Sequence, residues 1–150
     1  MTKKFYNENL YPYVKELLEK KGEAIITVKE KSMLPFIKDN KDQVILEKKD
    51  FNSLDKGEII FFKSRWGDYT IGRIYSKSDL GYLTIGDGNL KFDGYVRSKD
   101  VLAVVKKIVK MGKQIDCDSY FWKIIFNIWM KLLPMREYLL KIYNLKKLLL

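Results

Sequence analysis

Histidine is absent from the 150 residues of this chain, and cysteine occurs once, as Cys117. Without histidine, no Ser-His or Cys-His pair can activate a nucleophile, and lysine is the only abundant side chain left that could serve as a base. A single cysteine excludes an intrachain disulfide framework and a thiolate cage for a metal ion. We therefore expect neither a metal nor any other cofactor.

Long hydrophobic runs are also missing. No uncharged run is long enough to span a membrane, and the first ten residues lack the apolar core of a signal peptide, so we expect a cytoplasmic protein. Acidic residues are outnumbered by basic ones, 19 to 29, which gives a net charge of +10. The lysines are dispersed and no nucleic-acid-binding motif accompanies them, so an anionic surface is a better expected partner than nucleic acid.

The patterns that are present predict a mainly β, α+β fold. Helical spacing of apolar residues predicts a helix over residues 8–21, which Gly22 ends. Turn residues separate strand patterns at residues 24–29, 43–46, 57–62, 69–71, 82–85 and 101–109. Short strands at this spacing, after one helix, predict a mostly β domain with a coiled or barrel-like sheet over residues 1–115.

Residues 116–150 differ in composition and predict a helical extension. The segment 119–133 is mostly apolar, and its polar residues recur every four positions: Lys123, Asn127 and Lys131. Pro134 ends this amphipathic helix, and residues 136–150 predict a second one. Residues 119–150 contain six basic residues and one acidic residue, which leaves two interpretations open. The helices cover the β domain or form a dimer, or they lie on an anionic membrane surface at its inner face.

The tetrapeptide Ser32-Met33-Leu34-Pro35 directly follows the first strand pattern. A serine at the end of a strand, stiffened by a proline three residues later, is how one class of hydrolases presents a nucleophile. Further blocks follow in order, and together they resemble the signal peptidase I and LexA-like serine peptidase superfamily in its short bacterial form without a transmembrane anchor. These blocks are Val28-x-x-x-Ser32-Met33-x-Pro35, Phe36-Ile37-Lys38-Asp39, Asp42-x-Val44, Gly57-Glu58, Ile71-Gly72-Arg73-Ile74 and Gly86-Asp87-Gly88-Asn89.

The resemblance implies a small, mostly antiparallel β domain with a serine on a turn beside a groove, where an extended peptide adds to a sheet edge. Ser32 matches the nucleophile, and Arg73 matches the arginine that directly follows the general base, a lysine or histidine. Asp87 matches the aspartate that braces the site. We expect the residues around the serine to line the peptide site: Glu30, Lys31, Met33 and Pro35.

Two positions depart from the family pattern. The base position holds Gly72, which has no side chain to accept a proton. Two residues before the serine, where the family has Gly or Ser, the chain has Glu30, whose carboxylate opposes the charge of an oxyanion. Glu30 could itself accept the Ser32 proton, as could Lys31 or Lys63, but we favour ordinary solvated charges for all three.

We therefore predict a degenerate signal-peptidase-like serine peptidase, a pseudoenzyme that binds an extended peptide or a protein segment in its groove. The alternative is an active serine endopeptidase that processes a leader or signal-like peptide with Ser32 and an atypical base. An amine or carboxylate in contact with the Ser32 hydroxyl, in a dry setting, would favour this alternative.

Overall fold

A computed structural model describes Tyr6 and residues 8–149. The chain is an α+β protein with one eight-stranded sheet and, within the described residues, three α-helices. The helices are α1 (Leu10–Lys21), α2 (Tyr120–Lys131) and α3 (Arg136–Leu149). The strands are β1 (Glu23–Thr27), β2 (Gln43–Glu47), β3 (Ile59–Lys63), β4 (Tyr69–Ser78), β5 (Gly81–Ile85), β6 (Gly94–Val96), β7 (Val101–Lys110) and β8 (Lys113–Asp116).

The sheet has the order β1-β2-β7-β3-β4-β5-β6, and β8 pairs with β7 off this path. Each of these pairings is antiparallel. The predicted antiparallel sheet, with one helix before it and two after it, is confirmed. The sequence patterns miss β6 and β8, which are short strands.

The core lies on both faces of β3, whose residues are buried from Ile59 to Phe62. Because successive side chains of a strand point to opposite faces, Phe61 packs with α1 and α2, while Phe62 packs in a second cluster. This two-sided burial explains why β3 reads as a continuous apolar run rather than as an alternating one. It makes the β3–β4 hairpin a rigid support for the residues at its end.

The two C-terminal helices differ in how much of their surface they bury against the β domain. Ser119 caps the N-terminus of α2, where its hydroxyl accepts a hydrogen bond from the Trp122 N–H, and the helix buries Phe126 and Met130 against the β domain. Helix α3 buries only its first residue, Arg136. The interpretation that the helices cover the domain therefore holds for α2, while most of α3 faces outward.

Within the part of the chain that the structure describes, every helix is too short or too polar to cross a membrane.

Candidate functional site

Ser32 lies in a short turn rather than in a strand. Strand β1 ends at Thr27, and residues 31–33 form one turn of 3-10 helix, which is closed by a hydrogen bond of 3.2 Å from the Leu34 N–H to the Lys31 carbonyl. The Leu34-Pro35 peptide bond that follows is cis. The alternation of side chains along a strand therefore does not apply to Lys31 and Ser32.

The Ser32 hydroxyl has a carboxylate partner. It donates a hydrogen bond of 2.7 Å to Oε1 of Glu30. The same Oε1 accepts hydrogen bonds from the Thr70 hydroxyl at 2.6 Å and from the Ile71 N–H at 3.0 Å. Glu30 is thus fixed between the serine turn and strand β4, and the expectation that Glu30 is a solvated charge is wrong.

The Glu30 carboxylate is buried. The residue has no exposed surface, and within the described residues its Oε2 atom has no hydrogen-bond partner. Burial raises the pKa of Glu30 above its ordinary value, and the hydrogen bonds from Thr70, Ile71 and Ser32 oppose this shift. Burial, followed by the charge of Glu30, likewise raises the pKa of the Tyr6 hydroxyl.

Gly72, which the resemblance places at the position of the base, is enclosed rather than open. A Cβ atom there would lie 3.2 Å from Cε1 of Phe62, 3.3 Å from Oδ2 of Asp93 and 3.6 Å from Cβ of Thr84. Asp93 is exposed as a residue, but its Oδ2 accepts a hydrogen bond of 3.3 Å from the Thr84 hydroxyl. Partial burial of this carboxylate raises the pKa of Asp93 to about 6, and the charge of Glu30 adds to the shift.

Arg73 and Asp87 form a buried ion pair behind the serine. Nε and Nη2 of Arg73 donate to the two carboxylate oxygens of Asp87 at 2.7 and 2.6 Å, and Nη1 donates to the Gly57 carbonyl at 2.9 Å. Neither side chain is exposed. A bidentate ion pair of this kind fixes the orientation of both side chains as well as the distance between them. The two residues that the resemblance selects as supporting residues are therefore direct partners.

The turn that contains Asp87 packs tightly against the serine turn. The Gly88 N–H donates a hydrogen bond of 2.8 Å to the Ser32 carbonyl. A Cβ at Gly86 would lie 2.4 Å from that same carbonyl oxygen, which is closer than real side chains approach a backbone atom. Glycine is required at position 86 because the two turns touch. The turn that contains Asp87 therefore fixes the position of the Ser32 backbone.

The C-terminal helices hold the same turn from the other side. The indole N–H of Trp129 in α2 donates a hydrogen bond of 2.9 Å to the Asp87 carbonyl. At the start of α3, Nη1 of Arg136 donates to the carbonyls of Gly86 and Asn89 at 3.2 and 3.0 Å. The Arg73 guanidinium lies 3.9 Å from the ring centre of Phe126. The extension is therefore part of the structure around the site.

A groove of about 1430 Å³ opens beside Ser32. Its walls are the serine segment, the β3–β4 hairpin with Trp66 at its turn, the β5–β6 connection and the inner face of α3. Glu30, Lys31, Ser32 and Leu34 line the groove. Met33 is instead fully buried in the core, and Pro35 is not among the residues of the groove wall.

Other residues of the site follow less directly from sequence. Lys31 and Lys63, which are the other candidate bases, line the groove but are exposed. The Ser32 hydroxyl donates its hydrogen bond to Glu30. Thr70 and Asp93 are not identified by the sequence reasoning. Thr70 lies two residues before Gly72, so the alternation along β4 could have placed it on the same face. Asp93 gives no comparable signal, because it lies in a loop.

Searches against known protein families, curated proteins and solved structures each returned no match.

Proposed function

We propose that this protein binds an extended peptide segment in the groove beside Ser32, as a signal-peptidase-type domain that does not cleave it. The observation that carries the proposal is the groove itself. Its volume of about 1430 Å³ exceeds the roughly 300–1,000 Å³ typical of small-molecule sites, which favours a chain segment as the ligand.

The sheet offers this peptide an edge. Strand β6 is the last strand in the sheet order, and in the described residues it pairs only with β5. Gly94, Tyr95 and Val96 of β6 also line the groove. An extended peptide can add to such an edge through backbone hydrogen bonds, while side-chain pockets supply specificity.

The contacts around the serine support the signal-peptidase type. Ser32 on a turn, the Arg73–Asp87 pair and the glycine-rich turn meet in space, although they are far apart in sequence. The absence of cleavage rests on two features. Phe62 and Asp93 enclose Gly72 at the base position, and the Glu30 carboxylate accepts a hydrogen bond of 2.7 Å from the Ser32 hydroxyl, where its charge would oppose an oxyanion on the substrate.

The contact between Ser32 and Glu30 favours a second candidate function, cleavage of the bound peptide. Glu30 would take the Ser32 proton as the oxygen attacks the scissile carbonyl, and would then pass it to the leaving amine. Water would hydrolyse the resulting ester and restore both groups. A carboxylate with a raised pKa is better suited to this role than an ordinary one.

The experiment combines binding and cleavage of fluorescein-labelled leader-type peptides. We expect saturable binding by fluorescence anisotropy, an intact peptide by mass spectrometry, and unchanged affinity in Ser32→Ala. Trp66→Ala, at the groove rim, should weaken binding about fivefold or more. Leu80→Ala is the matched control, because Leu80 is similarly exposed but lies outside the groove.

The outcomes separate the two functions. Fragments that appear with the wild type and disappear with Ser32→Ala would establish the peptidase and end the non-cleaving proposal. Equal affinities of the Trp66→Ala and Leu80→Ala variants would show that peptide does not bind in this groove.

A further inference from the structure

Helix α3 has two different faces. Leu140, Tyr143 and Asn144 line the groove. The opposite side carries an apolar stripe spaced four, three and four residues apart, which we call the outer stripe: Tyr138, Ile142, Leu145 and Leu149. These four side chains are between 59% and 80% exposed. At 3.6 residues per turn they form one continuous face that no described part of the chain covers.

Helix α2 adds a second exposed apolar face. Phe121, Ile124 and Ile128 are spaced three and four residues apart and are exposed, whereas Phe126 and Met130 point into the domain. Covering the β domain thus uses one side of α2 and leaves its other side free. Exposed apolar faces on two consecutive helices are uncommon in a soluble monomer and indicate a docking surface.

The charges beside these faces identify the partner. Lys141 and Lys146 fall on either side of the outer stripe, and both are exposed; Lys141 also lies 3.4 Å from the exposed carboxylate of Glu137. Lys131 adjoins the apolar face of α2. Lysines at the edges of an apolar helix face can extend their ammonium groups into an anionic headgroup layer while the stripe enters the acyl boundary.

A second copy of this chain fits these faces less well, because equally placed lysines would oppose one another across a symmetric interface. The chain also carries a net charge of +10. We infer that the outer faces of α2 and α3 dock in the plane of an anionic lipid surface. Since α3 is about 10 Å across, the groove on its inner face would lie next to the headgroups. On the proposed function, the bound peptide would therefore be one that is tethered at the membrane.

The test is co-sedimentation of the full chain with vesicles of phosphatidylglycerol and phosphatidylcholine, compared with phosphatidylcholine alone. We expect the protein to pellet with the anionic vesicles. Ile142→Ser with Leu145→Ser should lower partitioning about tenfold or more. Lys141→Gln with Lys146→Gln should lower it on anionic vesicles about fivefold per lysine. Met111→Ser is the control, since Met111 is an exposed apolar side chain on the β7–β8 turn.

Three results would overturn the inference. The first is that the wild-type protein stays in the supernatant with anionic vesicles. The second is that the Ile142/Leu145 variant pellets like the control. The third is that light scattering gives the mass of a dimer for the wild type and of a monomer for this variant. Because the variants lie outside the groove, their peptide affinity, measured separately, shows whether the proposed function stands without the lipid role.

Discussion

Ser32 and Glu30 form a hydrogen bond of 2.7 Å, and Oε1 of Glu30 is also held by Thr70 and Ile71. The serine therefore has a proton acceptor, although the position expected to supply one is Gly72. The same contact fixes the orientation of the Ser32 hydroxyl. On the proposed function, the charge of this carboxylate next to the hydroxyl would oppose an oxyanion on a bound peptide and so keep the peptide intact.

The buried Glu30 carboxylate should make stability depend on pH. Because burial raises its pKa in the folded state above the ordinary 4.5, the folded protein holds this proton more tightly than the unfolded chain does. The contribution of Glu30 to the free energy of unfolding therefore falls as pH rises from about 4.5 through the folded-state pKa. We expect Glu30→Gln, measured by urea denaturation, to gain stability relative to wild type as pH increases.

Asp93→Asn should show the same trend between the ordinary value of 3.8 and about 6, but more weakly, because Asp93 is exposed as a residue. Asn127→Gln, an exposed substitution on α2 that changes no titratable group, is the control and should differ from wild type by a constant amount. A Glu30→Gln curve parallel to the wild-type curve would mean that the Glu30 carboxylate is not buried in solution.

Among the ion pairs of the described residues, the pair of Arg73 and Asp87 should be the one whose loss costs most stability. Asp87→Asn leaves an uncompensated guanidinium in the interior, so we expect a loss of about 3–5 kcal/mol in the free energy of unfolding. Glu16→Gln, which breaks the exposed pair with Lys20, should cost less than about 1 kcal/mol. Similar losses of stability for Asp87→Asn and Glu16→Gln would show that the pair of Arg73 and Asp87 is not buried in solution.

Two glycine substitutions should differ because their surroundings differ. Gly86→Ala brings a methyl group to 2.4 Å from the Ser32 carbonyl oxygen, and the backbone on both sides has little freedom to move. We expect a loss of about 3 kcal/mol, measured by chemical denaturation. At Gly72 the nearest atom to a Cβ is 3.2 Å away on the Phe62 ring, so Gly72→Ala should cost about 1 kcal/mol or less. The reverse order would show that the two turns are not in contact.

Trp129→Phe tests the anchoring of α2 to the site. Phenylalanine keeps an aromatic ring but loses the hydrogen bond to the Asp87 carbonyl, which should cost about 1 kcal/mol of folding stability. The change should also lower the protection of the Asp87 region in hydrogen exchange. Trp122→Phe is the control, since Trp122 packs on the same helix without contacting that turn. Equal hydrogen exchange of the Asp87 region in the Trp129→Phe and Trp122→Phe variants would show that α2 does not stabilise that turn.

The strands that the sequence predicts are those with strong apolar patterns, such as β3 and β7. Strand β8 has the sequence Lys-Gln-Ile-Asp, and pairing across the tight turn at Met111 and Gly112, both with positive φ, forms it in place of an apolar pattern. Strand β6 has only three residues. Both strands form because they pair with neighbouring strands, and the apolar pattern of a short segment does not show such pairing.

The resemblance names residues from three separate motifs that lie close together in space, but it does not predict the burial of Glu30. Ser32, Arg73 and Asp87 follow from the resemblance, whereas the burial of Glu30 depends on Thr70 and Ile71, about 40 residues later. The apolar residues of α2 illustrate the same limit. The sequence shows a mostly apolar helix, but only the fold decides that Phe126 faces the core and that Ile128 faces outward.

Placing a lysine at position 72 should not by itself create a peptidase. Its side chain would begin 3.3 Å from the Asp93 carboxylate and near Glu30, so its amine would stay protonated and could not accept the Ser32 proton. We expect Gly72→Lys to leave a labelled leader-type peptide intact, as judged by mass spectrometry. Combining it with Asp93→Asn and Glu30→Gly removes both charges and should produce cleavage. Adding Ser32→Ala to this triple variant should abolish the cleavage, and cleavage by the single Gly72→Lys variant would show that the two carboxylates do not hold the site inactive.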